Sequence, residues 1–339
     1  MTVAVVAAPH HDARRRRRTG SEFCIELGLV NNMPDAALER TERQFFNLLG
    51  AAANDLLVRV SFFSLPGIPR GEEGRHHFYR NNYRGAHELQ AAGLDALIVT
   101  GTEPRVPDLR LEPYWPELAQ LFDWIAADGP ACVFSCLAAH AAVLHYDGVE
   151  RQRLPEKRFG VFEHVVAGHD YFTQKLAPPI KVAHSRWNEV GETALAGCGY
   201  RILTWTPDAG VDLFVKRQRN DLLFCQGHSE YDPATLGREY RRDVRRYLKG
   251  ESGDYPPLPA NYFTPAEAAQ LKLFAARARA ERHESLMDDF PAIRRRPESG
   301  WQPPAASVYR AWLQQIVEAK RSRRTRPRPA ALSALAKAS

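Results

Sequence analysis

Three residues of this chain have the chemistry of a covalent catalyst: Cys136, His228 and Glu230. A thiolate is a strong nucleophile, an imidazole accepts the thiol proton, and a carboxylate orients the imidazole. His228 and Glu230 lie two residues apart, so both side chains point the same way in an extended loop. Such a set supports acyl transfer, in which the thiolate attacks a thioester or an amide and an acyl-enzyme passes the acyl group to an acceptor.

The sequence around Cys136 predicts a sharp turn. A helix-like run ends at Asp128-Gly129-Pro130, residues 131–134 are typical of a buried strand, and an Ala/Leu/Val-rich helix follows. A nucleophile between a strand and a helix is the arrangement of a nucleophile elbow, where the helix N-terminus stabilises a thiolate. A free cysteine is more often a small core residue, and an isolated His-x-Glu is more often a surface pair. The local sequence leaves those alternatives open.

The first half of the chain alternates predicted strands and helices. This order indicates an α/β fold with a parallel sheet and helices on both faces. In such sheets the functional residues lie at the carboxyl ends of the strands. We therefore expect Asn31–Asp35, Gly101–Arg105 and Cys136 to cluster. Residues 66–84 are rich in Gly, Pro, Arg and His and predict a long loop. The predicted strands are 24–30, 56–65, 94–100 and 131–134, and the predicted helices are 34–49, 86–92 and 113–127.

The second half favours shorter strands followed by helices. The loop that contains His228 and Glu230 comes directly after the last of these strands. The predicted strands are 160–166, 180–183, 200–205, 213–216 and 221–226, and the predicted helices are 235–249, 264–287 and 308–320.

The basic charge of the chain lies at its two ends. The formal net charge is +6, but residues 1–20 carry +4 and residues 318–339 carry +6, so the middle is mildly acidic. Such charge runs are typical of solvated ends. We predict disordered basic tails at 1–21 and 321–339 and a single α/β domain at 22–320. No aromatic residues interleave the basic ones, so no specific nucleic-acid partner is expected.

Composition also bears on location and metal binding. No run approaches the roughly 18 apolar residues of a membrane helix, and no long apolar segment follows Arg14–Arg18, so we expect a cytoplasmic protein without a membrane partner. The five cysteines are widely spaced and form no CxxC pair, which favours a reducing compartment over a disulfide framework. The remaining histidines lack partners at metal-ligand spacing, so no metal site is expected.

The chain resembles the homoserine O-acyltransferase (homoserine O-succinyltransferase) family. The resemblance implies a class I glutamine-amidotransferase-like (flavodoxin-like) fold with a helical C-terminal extension, and a homodimer. It also implies transfer of an acyl group from acyl-CoA to the hydroxyl of L-homoserine through an acyl-cysteine, in methionine biosynthesis and without a cofactor. The matching segments are Leu27–Pro34, Glu39–Phe45, Asp95–Gly101, Tyr114–Trp115, Phe134–Cys136, Glu156–Lys157, Gly160–His164, Ala183–Arg186, Gly227–Asp232, Arg242–Val244 and Asn261–Phe263.

The resemblance assigns a role to each matching position. Cys136 is the nucleophile, His228 the general base and Glu230 its orienting carboxylate. Substrate binding falls to three further side chains. Lys157 and Ser185 take positions near the acyl donor, and Arg242 takes the position that holds the carboxylate of the amino acid, which suits the planar guanidinium. The candidate oxyanion donors are the backbone N–H groups of Leu137 and Thr102.

Two positions depart from the family and decide which substrates are expected. At the position of Arg105 the family has a Gly in members that use succinyl-CoA and a Glu in members that use acetyl-CoA. An Arg can pair with the second carboxylate of a dicarboxylic acyl group, so we expect succinyl-CoA. His140 replaces a Gln near the site, so another amino alcohol such as serine remains an alternative acceptor. Acetyl-CoA remains an alternative donor. A glutamine amidotransferase is the alternative of a different class, but it needs a Gly where this chain has Ala138.

Overall fold

A nine-stranded, mostly parallel β-sheet forms the centre of the protein. The computed structural model describes residues 5–7, 24–293 and 300–325. The sheet has the strand order β1-β3-β2-β5-β6-β13-β12-β9, with β4 beside β3, and only β12 pairs with its neighbours in antiparallel fashion. The strands are β1 (Val5–Ala7), β2 (Cys24–Val30), β3 (Leu57–Ser64), β4 (Arg84–Gly85), β5 (Ala96–Val99), β6 (Ala131–Ser135), β7 (Gln152–Val166), β8 (Ile180–Glu189), β9 (Arg201–Ile202), β10 (Thr204–Thr206), β11 (Gly210–Val211), β12 (Leu213–Arg217) and β13 (Asp221–Cys225).

Helices cover both faces of this sheet, each through its apolar stripe. On one face Phe45 and Trp312 lie in a single buried cluster with the sheet residue Ile98. On the other face Phe122 and Val143 pack with the sheet residue Phe134. The predicted α/β fold with a mostly parallel sheet and a C-terminal helix is therefore confirmed. The helices are α1 (Leu38–Ala53), α2 (Glu72–Arg80), α3 (Trp115–Ala127), α4 (Leu137–Asp147), α5 (Glu192–Gly197), α6 (Thr235–Leu248), α7 (Pro265–Glu281) and α8 (Gln302–Thr325), and short 3-10 turns occupy Asp35–Ala37, Ala86–Glu88, Gln90–Ala92, Leu109–Leu111 and Glu284–Asp289.

A second sheet of four strands, in the order β11-β10-β7-β8, stands beside the central one. The prediction of one sheet did not include it. Its β7 begins eight residues earlier than predicted. Residues 152–157 are mostly polar, contain Pro155 and enter the β7–β8 hairpin through a register shift, so they lack the pattern of a buried strand. The predicted strand 200–205 divides into β9 and β10, which belong to different sheets. The second sheet and α6 share a buried cluster that includes Phe159 and Tyr240.

The prediction of a loop at 66–84 is wrong for the middle of that segment, which folds as α2. This helix is too polar to be recognised from apolar periodicity, and contacts outside it hold it in place. The Phe78 ring stacks on Tyr83 with centroids 4.0 Å apart, and His77 Nε2 lies 2.6 Å from Glu42 Oε1. The residue before the helix, Gly71, donates its N–H to Asp35 Oδ2 at 2.7 Å.

Both ends of the chain contribute more regular structure than predicted. β1 lies inside the segment expected to be a tail and pairs in parallel with β3. α8 begins at Gln302 and runs to Thr325, so the boundary placed at 320 falls within a helix. The remaining residues of the two predicted tails, 1–4, 8–21 and 326–339, lie outside the described residues. Within the part that is described, no helix has the length and apolar character needed to span a membrane.

Candidate active site

Cys136 occupies the strand–turn–helix elbow that the sequence predicts. It is the residue between β6 and α4, and its backbone has φ 52° and ψ −114°, a conformation that non-glycine residues rarely adopt. Its N–H donates to the carbonyl of Cys225 at 2.8 Å, and β6 pairs in parallel with β13 up to the Ser135–Cys225 position. The two strands therefore end side by side, which brings the loop after β13 next to the thiol.

His228 is held in that loop by three contacts. Its N–H donates to the carbonyl of Ala183 at 2.8 Å, and its ring stacks on Tyr231 with centroids 4.1 Å apart and planes 15° apart. Its Nδ1 lies 2.8 Å from Glu230 Oε1. Cys136 lies close enough for its charge to raise the pKa of the His228 imidazole. The three residues selected for covalent chemistry therefore meet at one edge of the sheet.

The electrostatics of this group favour a charged histidine. Burial alone lowers the pKa of His228, but the charges of Cys136 and Glu230 and the hydrogen bonds to both outweigh it, so the pKa lies well above its usual value. Arg186 and Arg151 also interact with the charge of Cys136. Burial lowers the pKa of both guanidinium groups, and the charge of Cys136 is one of the causes that act in the opposite direction and raise these pKa values. Both guanidinium groups therefore contribute positive charge to the surroundings of Cys136.

The two candidate oxyanion donors belong to loops in direct contact. A Cβ placed on Gly101 would lie 2.6 Å from Leu137 Cβ and 3.0 Å from Leu137 N. The Leu137 N–H is the first of α4, where the helix itself supplies no acceptor. On the other side of this turn, Asn32 donates its N–H to Thr100 Oγ1 at 2.9 Å. The loops after β2 and β5 and the elbow thus cluster as predicted, with Thr102 next to Gly101.

Two of the predicted substrate-binding residues share one carboxylate. Lys157 Nζ lies 3.0 Å from Asp243 Oδ2 and 4.0 Å from the centroid of the Phe159 ring. Arg242 Nη2 lies 2.8 Å from Asp243 Oδ1. The Lys157 side chain is 8% exposed and that of Arg242 is 54% exposed. Lys157 is thus fixed in position, whereas Arg242 keeps much of its guanidinium open to a ligand.

Glu239 is a site residue that the sequence analysis missed. It accepts hydrogen bonds from the Ser185 hydroxyl at 2.6 Å and the Tyr231 hydroxyl at 2.5 Å, and its charge is among those that raise the pKa of Arg242 against the effect of burial. Ser185, the third predicted substrate-binding residue, therefore faces the loop of His228 through Glu239. The sequence could have indicated Glu239 by its spacing from Arg242, since residues three apart lie on the same face of a helix.

Arg105 and His140 have contrasting surroundings. Arg105 is exposed and donates its backbone N–H to Glu112 Oε1; it lines an open cleft of about 820 Å³ together with Thr102 and Tyr114. His140 is 3% exposed and its Nε2 lies 2.9 Å from Gln226 Oε1. Burial, with the charge of Arg186, lowers the pKa of His140 to about 3. His140 is therefore a buried, neutral residue whose N–H lies 3.3 Å from the carbonyl of Cys136, and its effect on the acceptor stays a prediction.

No group of three or more potential metal ligands occurs in the ranges 5–7, 24–293 and 300–325. Two histidines, His164 and His184, do come together, with their Nε2 atoms 3.4 Å apart. Their rings stack with centroids 5.2 Å apart. Burial lowers the pKa of both imidazoles. The pair is therefore a neutral packing contact behind the loop of His228.

The fold and the site define an α/β protein with a cysteine, a histidine and a glutamate at the carboxyl edge of a parallel sheet. The family model described as homoserine O-succinyltransferase matches residues 7–323, and the chain belongs to this family. The resemblance inferred from the motifs is confirmed.

Individual relatives cover nearly the whole chain. A homoserine O-succinyltransferase of Rhodopseudomonas palustris is 44% identical over 92% of this chain and 94% of its own. One of Methylorubrum extorquens is 46% identical over 85% of this chain and 86% of its own. Among solved structures, a glutamine amidotransferase of Thermotoga maritima is similar over 87% of this chain and 98% of its own, with 11% identity and a TM-score of 0.47.

Proposed function

We propose that this chain transfers a succinyl group from succinyl-CoA to the hydroxyl of L-homoserine through an acyl-cysteine, as a step of methionine biosynthesis. The observation that carries the proposal is the elbow at Cys136 with His228 and Glu230 beside it. Support comes from relatives of 42–46% identity that bear the name homoserine O-succinyltransferase.

In the first half-reaction the Cys136 thiolate attacks the thioester carbonyl carbon. The negative charge that develops on the carbonyl oxygen is stabilised by the N–H groups of Leu137 and Thr102. The bond between this carbon and the sulfur of CoA then breaks, and the protonated His228 gives its proton to the departing thiolate. The result is a succinyl-cysteine and free CoA, with His228 neutral.

In the second half-reaction the neutral His228 is the base. It takes the proton of the acceptor hydroxyl, the oxygen attacks the acyl carbon, and Cys136 leaves as a thiolate beside the newly charged imidazole. Glu230, 2.8 Å from Nδ1, keeps Nε2 directed to the reacting atoms and stabilises the imidazolium. The same three residues thus serve both steps of a ping-pong reaction.

The acceptor site lies along one face of α6. Arg242 binds the carboxylate of the amino acid, and Glu239, one helical turn before it, binds the ammonium group. Glu239 is suited to this because both of its hydrogen-bond partners, Ser185 and Tyr231, are neutral hydroxyl groups. A shorter acceptor such as serine, held by the same two charges, presents its hydroxyl one methylene farther from Cys136.

Two basic residues are assigned to the donor side. Lys157 and Arg105 are the two cations that the family positions assign to it, and Arg105 replaces the Glu that would repel a dicarboxylic acyl group. A charge-assisted hydrogen bond of this type stabilises by about 1.5–3 kcal/mol. The donor is therefore succinyl-CoA in preference to acetyl-CoA.

Product analysis tests this proposal. The protein is incubated with each pairing of succinyl-CoA or acetyl-CoA with L-homoserine or L-serine, and released CoA thiol and the mass of the product are measured. O-Succinylhomoserine formed with the highest kcat/KM supports the proposal. A clear preference for acetyl-CoA or for serine corrects the substrate. Hydrolysis of glutamine without release of CoA would show that the protein is an amidase and not an acyltransferase.

A further inference from the structure

The loop of His228 is held at its far end by a residue of the C-terminal segment. Trp301 lies directly before α8, and its Nε1–H donates to the carbonyl of Tyr231 at 2.9 Å. Both partners are buried, with Trp301 6% and Tyr231 8% exposed. At the near end, the N–H of His228 donates to the carbonyl of Ala183. The loop is therefore fixed by its backbone at residue 228 and again at residue 231.

Tyr231 transmits the contact with Trp301 to the imidazole. Its ring stacks on that of His228 with centroids 4.1 Å apart and planes 15° apart. Its hydroxyl donates to Glu239 at 2.5 Å. A displacement of the Tyr231 backbone would move both the ring that supports the imidazole and the hydroxyl that contacts Glu239. Trp301 thus reaches both side chains through Tyr231.

Tyr309, on α8, supports the middle of the same loop. The hydroxyl of Ser229 donates to that of Tyr309 at 3.3 Å, and Tyr309 is 1% exposed. Ser229 lies between His228 and Glu230 in sequence. A cavity of about 460 Å³ borders this side of the loop and is lined by residues that include His228, Ser229, Trp301 and Tyr309. Close packing therefore does not by itself fix the loop there, and the two hydrogen bonds gain importance.

The helix that carries Tyr309 is anchored independently of the loop. Trp312 lies in the buried cluster that α8 shares with α1 and the central sheet. Arg310 Nη2 donates to the carbonyl of Ala51 in α1 at 2.8 Å. Lys320 Nζ donates to the carbonyl of Cys24 in β2 at 2.9 Å. The C-terminal helix is thus a fixed support from which the loop can be held.

We propose that Trp301 and Tyr309 are positioning residues of the active site, which hold residues 228–231 on the C-terminal helix and so keep His228 directed at Cys136. Their role rests on the proposed function of His228 as acid and base, and it adds the side chains that orient this residue. The C-terminal extension then contributes to catalysis as well as to the packing of the sheet.

The alternative is that Trp301 only stabilises the fold by burying its ring. Trp312 is a matched control for this effect, because it is 0% exposed and its Nε1 has no hydrogen-bond partner within the described residues. Trp301→Phe removes ring area and the hydrogen bond to the loop, whereas Trp312→Phe removes ring area alone. Tyr309→Phe and Ser229→Ala each remove one hydroxyl of the second contact.

The first measurement is the rate of Cys136 acylation at saturating succinyl-CoA, followed by intact mass well below the unfolding temperature of each variant. We expect Trp301→Phe to slow acylation by about threefold to tenfold with an unchanged KM for succinyl-CoA. Tyr309→Phe and Ser229→Ala should each slow it by about twofold to fourfold, and the double variant no further, because both remove the same contact. Trp312→Phe should unfold at a lower temperature and keep the wild-type rate.

The second measurement is the titration of His228, followed by NMR of histidine-labelled protein and assigned with His228→Gln. Burial lowers the pKa of His228, but the charges of Cys136 and Glu230 raise it well above its usual value. A loosened loop weakens these charge contacts. We therefore expect the pKa of His228 to fall by about half a pH unit or more in Trp301→Phe and to stay unchanged in Trp312→Phe.

Equal effects of Trp301→Phe and Trp312→Phe on the acylation rate and on the titration would overturn the positioning role of Trp301. If Trp301→Phe does not fold, Tyr309→Phe and Ser229→Ala decide, and a wild-type rate and titration in both would overturn the inference. If the wild-type protein transfers no acyl group while the titration of His228 still shifts in Trp301→Phe, the proposed function fails and the positioning of His228 stands.

Discussion

His228 Nδ1 lies 2.8 Å from Glu230 Oε1, and this contact leaves Nε2 as the ring nitrogen available to Cys136. The hydrogen bond fixes both the tautomer and the orientation of the imidazole. Because the two residues are only two apart and the loop is anchored by the N–H of His228 on Ala183, the pair is oriented before any substrate binds.

Replacing Glu230 by Gln keeps the shape of the side chain but removes its charge. We expect kcat/KM to fall by about 10²- to 10⁴-fold, because the imidazolium loses its partner and the wrong tautomer becomes accessible. Steady-state kinetics together with thermal unfolding separate this effect from a loss of folding. A decrease of less than about threefold in a folded variant would remove Glu230 from the mechanism.

The stability of the protein is expected to depend on pH through His228. Its pKa in the folded state is raised above the unfolded value of about 6.5. The contribution of its charged form is therefore fully present below about pH 6.5 and is lost as the pH rises through the folded-state pKa. Urea unfolding of the wild-type protein and His228→Gln should show a stability difference that narrows as the pH is raised. A difference that widens with pH would contradict the charged pair.

Glu239→Gln tests the acceptor site independently of the nucleophile. Removing the charge that binds the ammonium group should raise KM for the amino acid by about tenfold to a hundredfold. Acylation of Cys136 by the donor alone should keep its rate within about threefold, since Glu239 contacts Ser185 and Tyr231 but not the thiol. An equal loss in both half-reactions would mean that Glu239 only supports the loop of His228.

Gly101→Ala should block the oxyanion position. The added Cβ would lie 2.6 Å from Leu137 Cβ and 3.0 Å from Leu137 N, so the first turn of α4 must shift. We expect kcat to fall by about 10²- to 10³-fold, the usual effect of losing an oxyanion donor. Gly50→Ala is the matched control: a Cβ there meets nothing within 4 Å, and its place in α1 predicts unchanged activity and a gain of about 0.5–1 kcal/mol. Equal activity of the two variants would exclude the Gly101 turn from catalysis.

The elements that sequence alone predicts well are those with a strong apolar signal. β2 coincides with its predicted span because its residues 24–30 are almost all buried, and the elbow follows from a buried strand that meets an Ala-rich helix at Cys136. α2 and the first half of β7 were missed because both are polar and depend on contacts distant in sequence. Apolar periodicity carries no record of such contacts.

The residues of the candidate site also divide into those that the sequence predicts and those that it does not. Cys136, His228 and Glu230 are recognisable by residue type and spacing, because each follows a predicted strand or lies in one short loop. Glu239 has no such signal, since charged residues on a helix face are common. Only the hydrogen bonds from Ser185 and Tyr231 distinguish it.

In the proposed reaction Cys136 carries the acyl group between the two substrates. Intact-mass measurement of the protein after brief incubation with succinyl-CoA, without an acceptor, tests it most directly. We expect a mass gain of one succinyl group that is lost when L-homoserine is added and is absent in Cys136→Ala. A wild-type protein without an adduct, or an adduct that persists in Cys136→Ala, would contradict the acyl-cysteine mechanism.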